Sequence, residues 1–127
     1  MIKKILFVDD ETFLLKAIKR LFRNDPYELY FAKNGKEALE IIGQNPDIGV
    51  VVTDLRMPMM DGSDLLQILE AKKPNIIKIV STGHYDVNQI KVIMSTCKIY
   101  RYLKKPWDAD NDFVPTVKAA VKEYYGE

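Results

Sequence analysis

The sequence predicts an α/β protein: a five-stranded parallel sheet covered on both faces by five helices, one domain over 1–127. Two observations carry this expectation. Short strand-like segments rich in apolar residues recur five times, each ended by polar or turn-forming residues, and two of them, Ile5–Val8 and Val50–Val52, are the uncharged runs expected of strands buried within a parallel sheet. Between them lie segments whose apolar residues recur at three-and-four spacing, the pattern of amphipathic helices. Strands alternating with helices favour right-handed crossovers that cover both faces of the sheet.

Ile5-Leu6-Phe7-Val8 is the first strand, ended by Asp9, Asp10 and Glu11. Phe13, Leu14, Ala17, Ile18, Leu21 and Phe22 then mark one face of the first helix, which Asp25-Pro26 closes. Tyr27 to Ala32 is the second strand, with Leu29 and Phe31 alternating against more polar neighbours. Asn34-Gly35 signals a turn and helix start before Ala38, Leu39, Ile41 and Ile42, and Asn45-Pro46-Asp47 ends that helix. Val50 to Val52 is the β-branched core of the third strand, which stops at Asp54. Met57-Pro58 and Asp61-Gly62 then break the chain twice, which puts Asp54 where a strand gives way to a loop.

Leu65, Leu66, Ile68 and Leu69 form a third helix stopped at Lys73-Pro74-Asn75, and Ile76 to Val80 is the fourth strand, ending at Ser81-Thr82-Gly83. Asp86 can cap a fourth helix carrying Val87, Ile90, Val92, Ile93 and Met94. Ile99 to Leu103 is the fifth strand, ending at Lys104-Lys105-Pro106. The last helix is expected near Asp112, with Pro115 in its first turn and Phe113, Val117, Ala120, Val121 and Tyr124 buried. The flavodoxin-like strand order 2-1-3-4-5 is the expected arrangement, and it brings the ends of strands 1 and 3 together at the switch point.

Composition narrows the function classes. A chain of 127 residues can bury about two-thirds of its unfolded surface as one domain. Its net charge of +1 gives no global electrostatic case for nucleic acid or membrane binding. No apolar run is long enough for a membrane span, and the opening Met1–Ile5 is too short before Asp9 for a signal peptide. Cys97 is the sole cysteine, so an internal disulfide and a cysteine metal cluster are both excluded. These features point to the cytoplasm.

Four strand ends therefore converge on one edge, carrying Asp9 and Asp10, Asp54, Thr82 and Lys105. Crowded carboxylates repel one another unless a cation intervenes, and an all-oxygen cluster suits a hard cation such as Mg²⁺. With Lys105 added, the edge could hold a phosphoryl group between metal, ammonium, hydroxyl and backbone amides. Each part alone has an ordinary explanation: Asp9 and Asp10 as helix caps, Thr82-Gly83 as a loop start, Lys105-Pro106 as a solvated turn. All of them at strand ends, in this order, are hard to explain as independent accidents.

Taken jointly, Leu6–Glu11, Val52–Gly62, Ser81-Thr82-Gly83 and Tyr102–Trp107 make the chain resemble the receiver domain of bacterial two-component response regulators, over nearly its whole length. The resemblance implies that Asp54 accepts a phosphoryl group from a histidine kinase or phosphotransfer protein. It implies that Asp10, Asp54 and the backbone carbonyl of Arg56 bind Mg²⁺, with Asp9 helping through water. Thr82 and Lys105 would contact the phosphoryl group, and Tyr102 matches an aromatic switch position. Arg56 and His84, two residues beyond Asp54 and Thr82, are placed to overhang the pocket and tune phosphoryl lifetime. His84 has no second histidine with which to form a metal site.

The implied partners are that kinase, a downstream output domain or protein, and a second copy of the chain through helix 4, strand 5 and helix 5. Lys105-Pro106-Trp107-Asp108 is similar to receivers joined to cyclic-nucleotide phosphodiesterase or other output domains. Met1 falls just before the first strand, as at a natural N-terminus, whereas Tyr124–Glu127 stops where a helix could run on. An α/β phosphatase dependent on Mg²⁺ would also use an aspartyl nucleophile, but it needs an acid two residues later, where Arg56 stands. A flavodoxin-like mononucleotide binder would need a Ser/Thr/Gly-rich phosphate loop. Neither a Walker-type loop nor G-x-G-x-x-G occurs.

Overall fold

Alternate residues of a strand face opposite sides of a sheet, and that rule builds both cores of this protein. The structure, a computed structural model, describes residues 1–83 and 86–126. Its strands are β1 (Lys3–Val8), β2 (Tyr27–Ala32), β3 (Val50–Thr53), β4 (Ile77–Thr82) and β5 (Arg101–Lys104). They form one parallel sheet in the order β2-β1-β3-β4-β5. The intervening helices are α1 (Thr12–Leu21), α2 (Gly35–Gln44), α3 (Gly62–Lys72), α4 (Val87–Thr96) and α5 (Val114–Tyr125).

On one face, Ile5, Phe7, Val50, Val52, Ile79 and Leu103 pack with Leu15, Ile18 and Phe22 at α1 and Phe113, Val117 and Val121 at α5. On the other, Leu6, Val8 and Val51 meet Ala38 and Ile42 of α2 and Leu65 and Leu69 of α3. A smaller cluster of Leu55, Leu66, Val80, Ile93 and Cys97 lies under α4.

Four expectations are adjusted. Phe13 is 85% exposed rather than part of the α1 core face. It lies two positions before the buried Leu15, about 200° around the helix. On α4 only Ile93 is buried, and Val87, Val92 and Met94 are exposed, because this helix covers the short edge of the sheet at β5. The ladder shifts β4 two residues later, to Thr82, and starts β5 at Arg101.

The chain also enters the last helix differently. Asp108 accepts bonds from the Asp110 and Asn111 amides and caps a π-helical turn, Ala109–Phe113, that runs straight into α5. Pro115 stands in the first turn of α5, as its missing N–H allows. Tyr124 is 36% exposed, its ring lying where a Cβ at Gly49 would come within 2.2 Å of it. Tyr125 turns inward instead: its hydroxyl accepts from the Lys4 amide (2.9 Å) and donates to the Asp47 carbonyl (2.8 Å).

Candidate functional site

The β3–α3 loop sets the position of Asp54. The Asp54 amide donates to the Val8 carbonyl (2.9 Å), which continues the β1–β3 ladder one residue beyond Thr53 and holds Asp54 at the carboxyl edge. Its carboxylate accepts from the Leu55 amide at Oδ1 (2.7 Å) and from Lys105 Nζ at Oδ2 (2.9 Å). Beyond it the loop folds back tightly: the Gly62 amide donates to the Leu55 carbonyl (2.9 Å), and a Cβ at Gly62 would sit 1.8 Å from the Asp54 carbonyl oxygen. Met59 adopts a left-handed φ of 68° at the loop's crest, a conformation that a side chain tolerates at some cost.

Asp9 comes from the end of β1 and Lys105 from just beyond β5. Asp9 Oδ1 accepts from the Glu11 amide (2.9 Å), and Asp9 Oδ2 accepts from Lys105 Nζ (2.5 Å). The Lys105 amide donates to the Thr82 carbonyl (2.9 Å), which fixes the base of the lysine against the end of β4. Thr82 itself is fully buried. Glu11 Oε1 lies 3.5 Å from the same ammonium, with its side chain 65% exposed. One carboxylate oxygen each from Asp9, Glu11 and Asp54 lie within 4.8 Å of one another, a group able to hold a metal ion.

Burial pushes the Asp9 carboxyl above the usual carboxylate range, and the contacts from Lys105 and the Glu11 amide recover only part of that cost. Burial also disfavours the Lys105 ammonium, but its bonds to Asp9 and Asp54 outweigh burial and raise its pKa. These two directions oppose each other within one ion pair. The contact geometry decides for the charged pair: an ammonium shared by two carboxylates keeps both it and Asp9 ionised at neutral pH.

A cavity of about 410 Å³ opens over this cluster, lined by Glu11, Leu14, Asp54, Gly83, Lys105, Pro106 and Trp107. A larger one, about 800 Å³, lies at the opposite, amino edge of the sheet beside Met1, Ile77 and Tyr100, away from every acid at the strand ends. Size therefore does not mark the site here; the convergence of strand ends does. In the smaller cavity Trp107 is pinned from two sides. Its indole nitrogen donates to Ser81 Oγ (2.9 Å), and its ring stacks on Phe113 with centroids 3.8 Å apart and planes 14° apart.

Asp9, Asp54, Thr82 and Lys105 are thus brought to one edge. Asp10 is exposed beside them, and its carboxylate is outside the trio of Asp9, Glu11 and Asp54. Arg56 is exposed at the start of the loop. The Tyr102 ring is half-buried against the small cluster under α4, with its hydroxyl buried. His84 lies outside the described residues. Two participants went unrecognised as site residues: Glu11, whose signal is its position two residues after Asp9, and the Ser81–Trp107 pair, joined across 26 residues of sequence.

The response regulator receiver domain family profile matches residues 5–114. Sporulation initiation phosphotransferase F of Bacillus subtilis is 30% identical over 125 residues, covering 98% of this chain and 94% of that protein. The hydrogenase transcriptional regulatory protein HoxA of Cupriavidus necator is 30% identical over 118 residues, 93% of this chain, and this chain spans only 24% of HoxA. Among solved structures, the signal receiver domain of an HD domain-containing protein from Pseudomonas fluorescens superposes with a TM-score of 0.90 at 29% identity, covering all of both chains. The strand order, the acids at the ends of β1 and β3, the lysine that joins them and these matches agree: the chain belongs to the response regulator receiver domain family.

Proposed function

We propose that this domain is a phosphorylation-dependent signalling switch in which Asp54 accepts a phosphoryl group from a phosphohistidine of a kinase or phosphotransfer protein. The observation that carries this reading is Lys105 Nζ bonded to both Asp9 and Asp54 at the floor of an open cavity. A carboxylate is a competent nucleophile at phosphorus, and the transition state is loose, so positioning and charge stabilisation supply most of the catalysis.

The clustered carboxylate oxygens of Asp9, Glu11 and Asp54 fit a hard cation. By the family resemblance, Mg²⁺ would be held by Asp54 and Asp10 with the Arg56 carbonyl, Asp9 assisting through water, which requires the exposed Asp10 side chain to turn toward the cluster. When bound, Mg²⁺ neutralises charge on the phosphoryl oxygens. Within the chain, the Leu55 amide holds Asp54 Oδ1, which leaves Oδ2 as the attacking oxygen once Lys105 turns from it to the phosphoryl group. Thr82, at the end of β4, would donate its hydroxyl to that group. Its loop and the Tyr102 ring would then shift together and alter the face made by α4, β5 and α5.

That face carries the exposed Val87, Val92 and Met94, which suit contact with a second copy or an output partner. Arg56 stands where a phosphatase would need its leaving-group acid, so the domain acts on itself rather than turning over external phosphoesters. No described helix is long and apolar enough to cross a membrane, in keeping with a cytoplasmic partner of a kinase. Incubation with acetyl phosphate and Mg²⁺ should add one phosphoryl mass to the wild type and none to Asp54→Asn. A full shift on the variant would remove Asp54 from this role.

A further inference from the structure

We infer that Trp107 is a donor-selecting platform: its pinned indole favours phosphodonors whose leaving group is a flat imidazole over small acyl phosphates. This rests on the assignment of Asp54 as the acceptor and deepens it by naming a residue that selects among donors. A flexible surface tryptophan would select nothing, because each encounter would have to order its ring. Here that cost is already met. Phe113, itself fully buried, covers one face of the indole at 3.8 Å, and Ser81, 4% exposed, holds its nitrogen at 2.9 Å.

Trp107 lines the cavity together with Leu14 and Pro106, and so do Asp54 and Lys105. The cavity therefore has two chemical halves. Lys105 and the acids take up the charged phosphoryl end, and Trp107, Pro106 and Leu14 offer an apolar wall to whatever the phosphoryl group is attached to. An imidazole ring can stack on such a wall; the methyl-sized tail of acetyl phosphate cannot.

In the transfer, Asp54 Oδ2 forms its bond to phosphorus as the donor's nitrogen–phosphorus bond breaks. The electron pair of that bond stays with the ring. An imidazole already protonated on its distal nitrogen therefore leaves neutral, and no further proton is required.

The test compares monophosphoimidazole with acetyl phosphate, both with Mg²⁺, by intact mass on the full chain. Trp107→Ala should slow labelling by monophosphoimidazole by about three- to ten-fold, the worth of one aromatic contact, and labelling by acetyl phosphate less than about two-fold. Trp107→Phe should restore much of the imidazole rate. Equal slowing with both donors, or no slowing with either, overturns the platform.

A second measurement needs no change at Trp107, the only tryptophan in the chain. In Asp54→Asn, which should not turn the donor over, monophosphoimidazole should quench Trp107 fluorescence saturably and acetyl phosphate should not. Equal quenching by both donors again overturns it, even if Trp107→Ala fails to fold. Phosphoryl labelling of Asp54→Asn by either donor would instead contradict the acceptor assignment, while the donor ratio would still judge Trp107.

Discussion

A methyl group at position 62 would meet backbone, since the Asp54 carbonyl oxygen lies 1.8 Å from where that carbon must go. Gly62→Ala must therefore lift the loop away from Asp54. We expect a loss of about 2 kcal/mol or more in urea unfolding, together with slower labelling of Asp54 by acetyl phosphate. Gly35 offers the contrast: its added carbon would meet the Met60 side chain at 2.7 Å, and a methionine can turn aside. Gly35→Ala should cost distinctly less, and equal losses would contradict the contact argument. Arg56→Ala should change the dephosphorylation rate of labelled Asp54 several-fold without blocking its labelling, as followed by the decay of the mass shift. The convergence of Asp9, Asp54, Thr82 and Lys105 was legible in the sequence because each lies within two residues of the end of an apolar stretch. Ser81 and the stacked Trp107 were not, because their roles arise from contacts between segments distant in the chain, and Glu11, although two residues from Asp9, meets the site's ammonium only through the distant Lys105.

At the scale of elements, β4 carries a lysine where an apolar residue is expected. Lys78 is 1% exposed, and its ammonium donates to the Ile76 carbonyl (3.0 Å) and pairs with Glu70 of α3 (3.2 Å). Glu70 also accepts from the Lys98 amide (2.9 Å), so one carboxylate ties together α3, β4 and the chain leaving α4. Removing it strands a buried charge, and Glu70→Ala should cost about 2–3 kcal/mol. The Lys98 amide first, and Lys78 after it, hold the Glu70 carboxyl below its ordinary value of 4.5. The folded state therefore binds that proton more weakly than the unfolded chain. The stabilisation is fully present above pH 4.5 and is lost as pH falls through the depressed value. The stability gap between wild type and Glu70→Ala should accordingly narrow as pH falls below 4.5 in urea titrations. A constant gap would mean that Glu70 acts by packing alone. The central strands were readable because burial on both faces demands β-branched runs. The edge was less so: α4 needs only Ile93 inside, so its remaining apolar residues follow no core-facing pattern.

Across the whole molecule, the expected signal runs from the Thr82 loop through Tyr102 to the α4–β5–α5 face. The coupling should be of the usual size, about 1–3 kcal/mol. Thr82→Ala should still bind beryllofluoride at Asp54, yet show smaller NMR shifts at Tyr102 and along α5. Shifts of full size would send the coupling along another route, such as Ser81, Trp107 and the π-helical turn. The strand order and helix count could be anticipated because the alternation of apolar runs leaves few topologies. The π-helical turn could not, since nothing in Ala109–Phe113 departs from an ordinary capped helix start. Lys105 gives this architecture a mechanical property of its own. Its backbone is tied to β4 through Thr82, while its side chain reaches across to the ends of β1 and β3. The residue is a crossbar laced over three strand tips. Any group that captures the ammonium would free the carboxylates of Asp9 and Asp54 from the crossbar while its β4 end stays fastened and the Asp54 amide still holds β3 to β1, so the slack would fall on one side only. The resulting motion has a direction set by the lacing, whichever chemical event releases it.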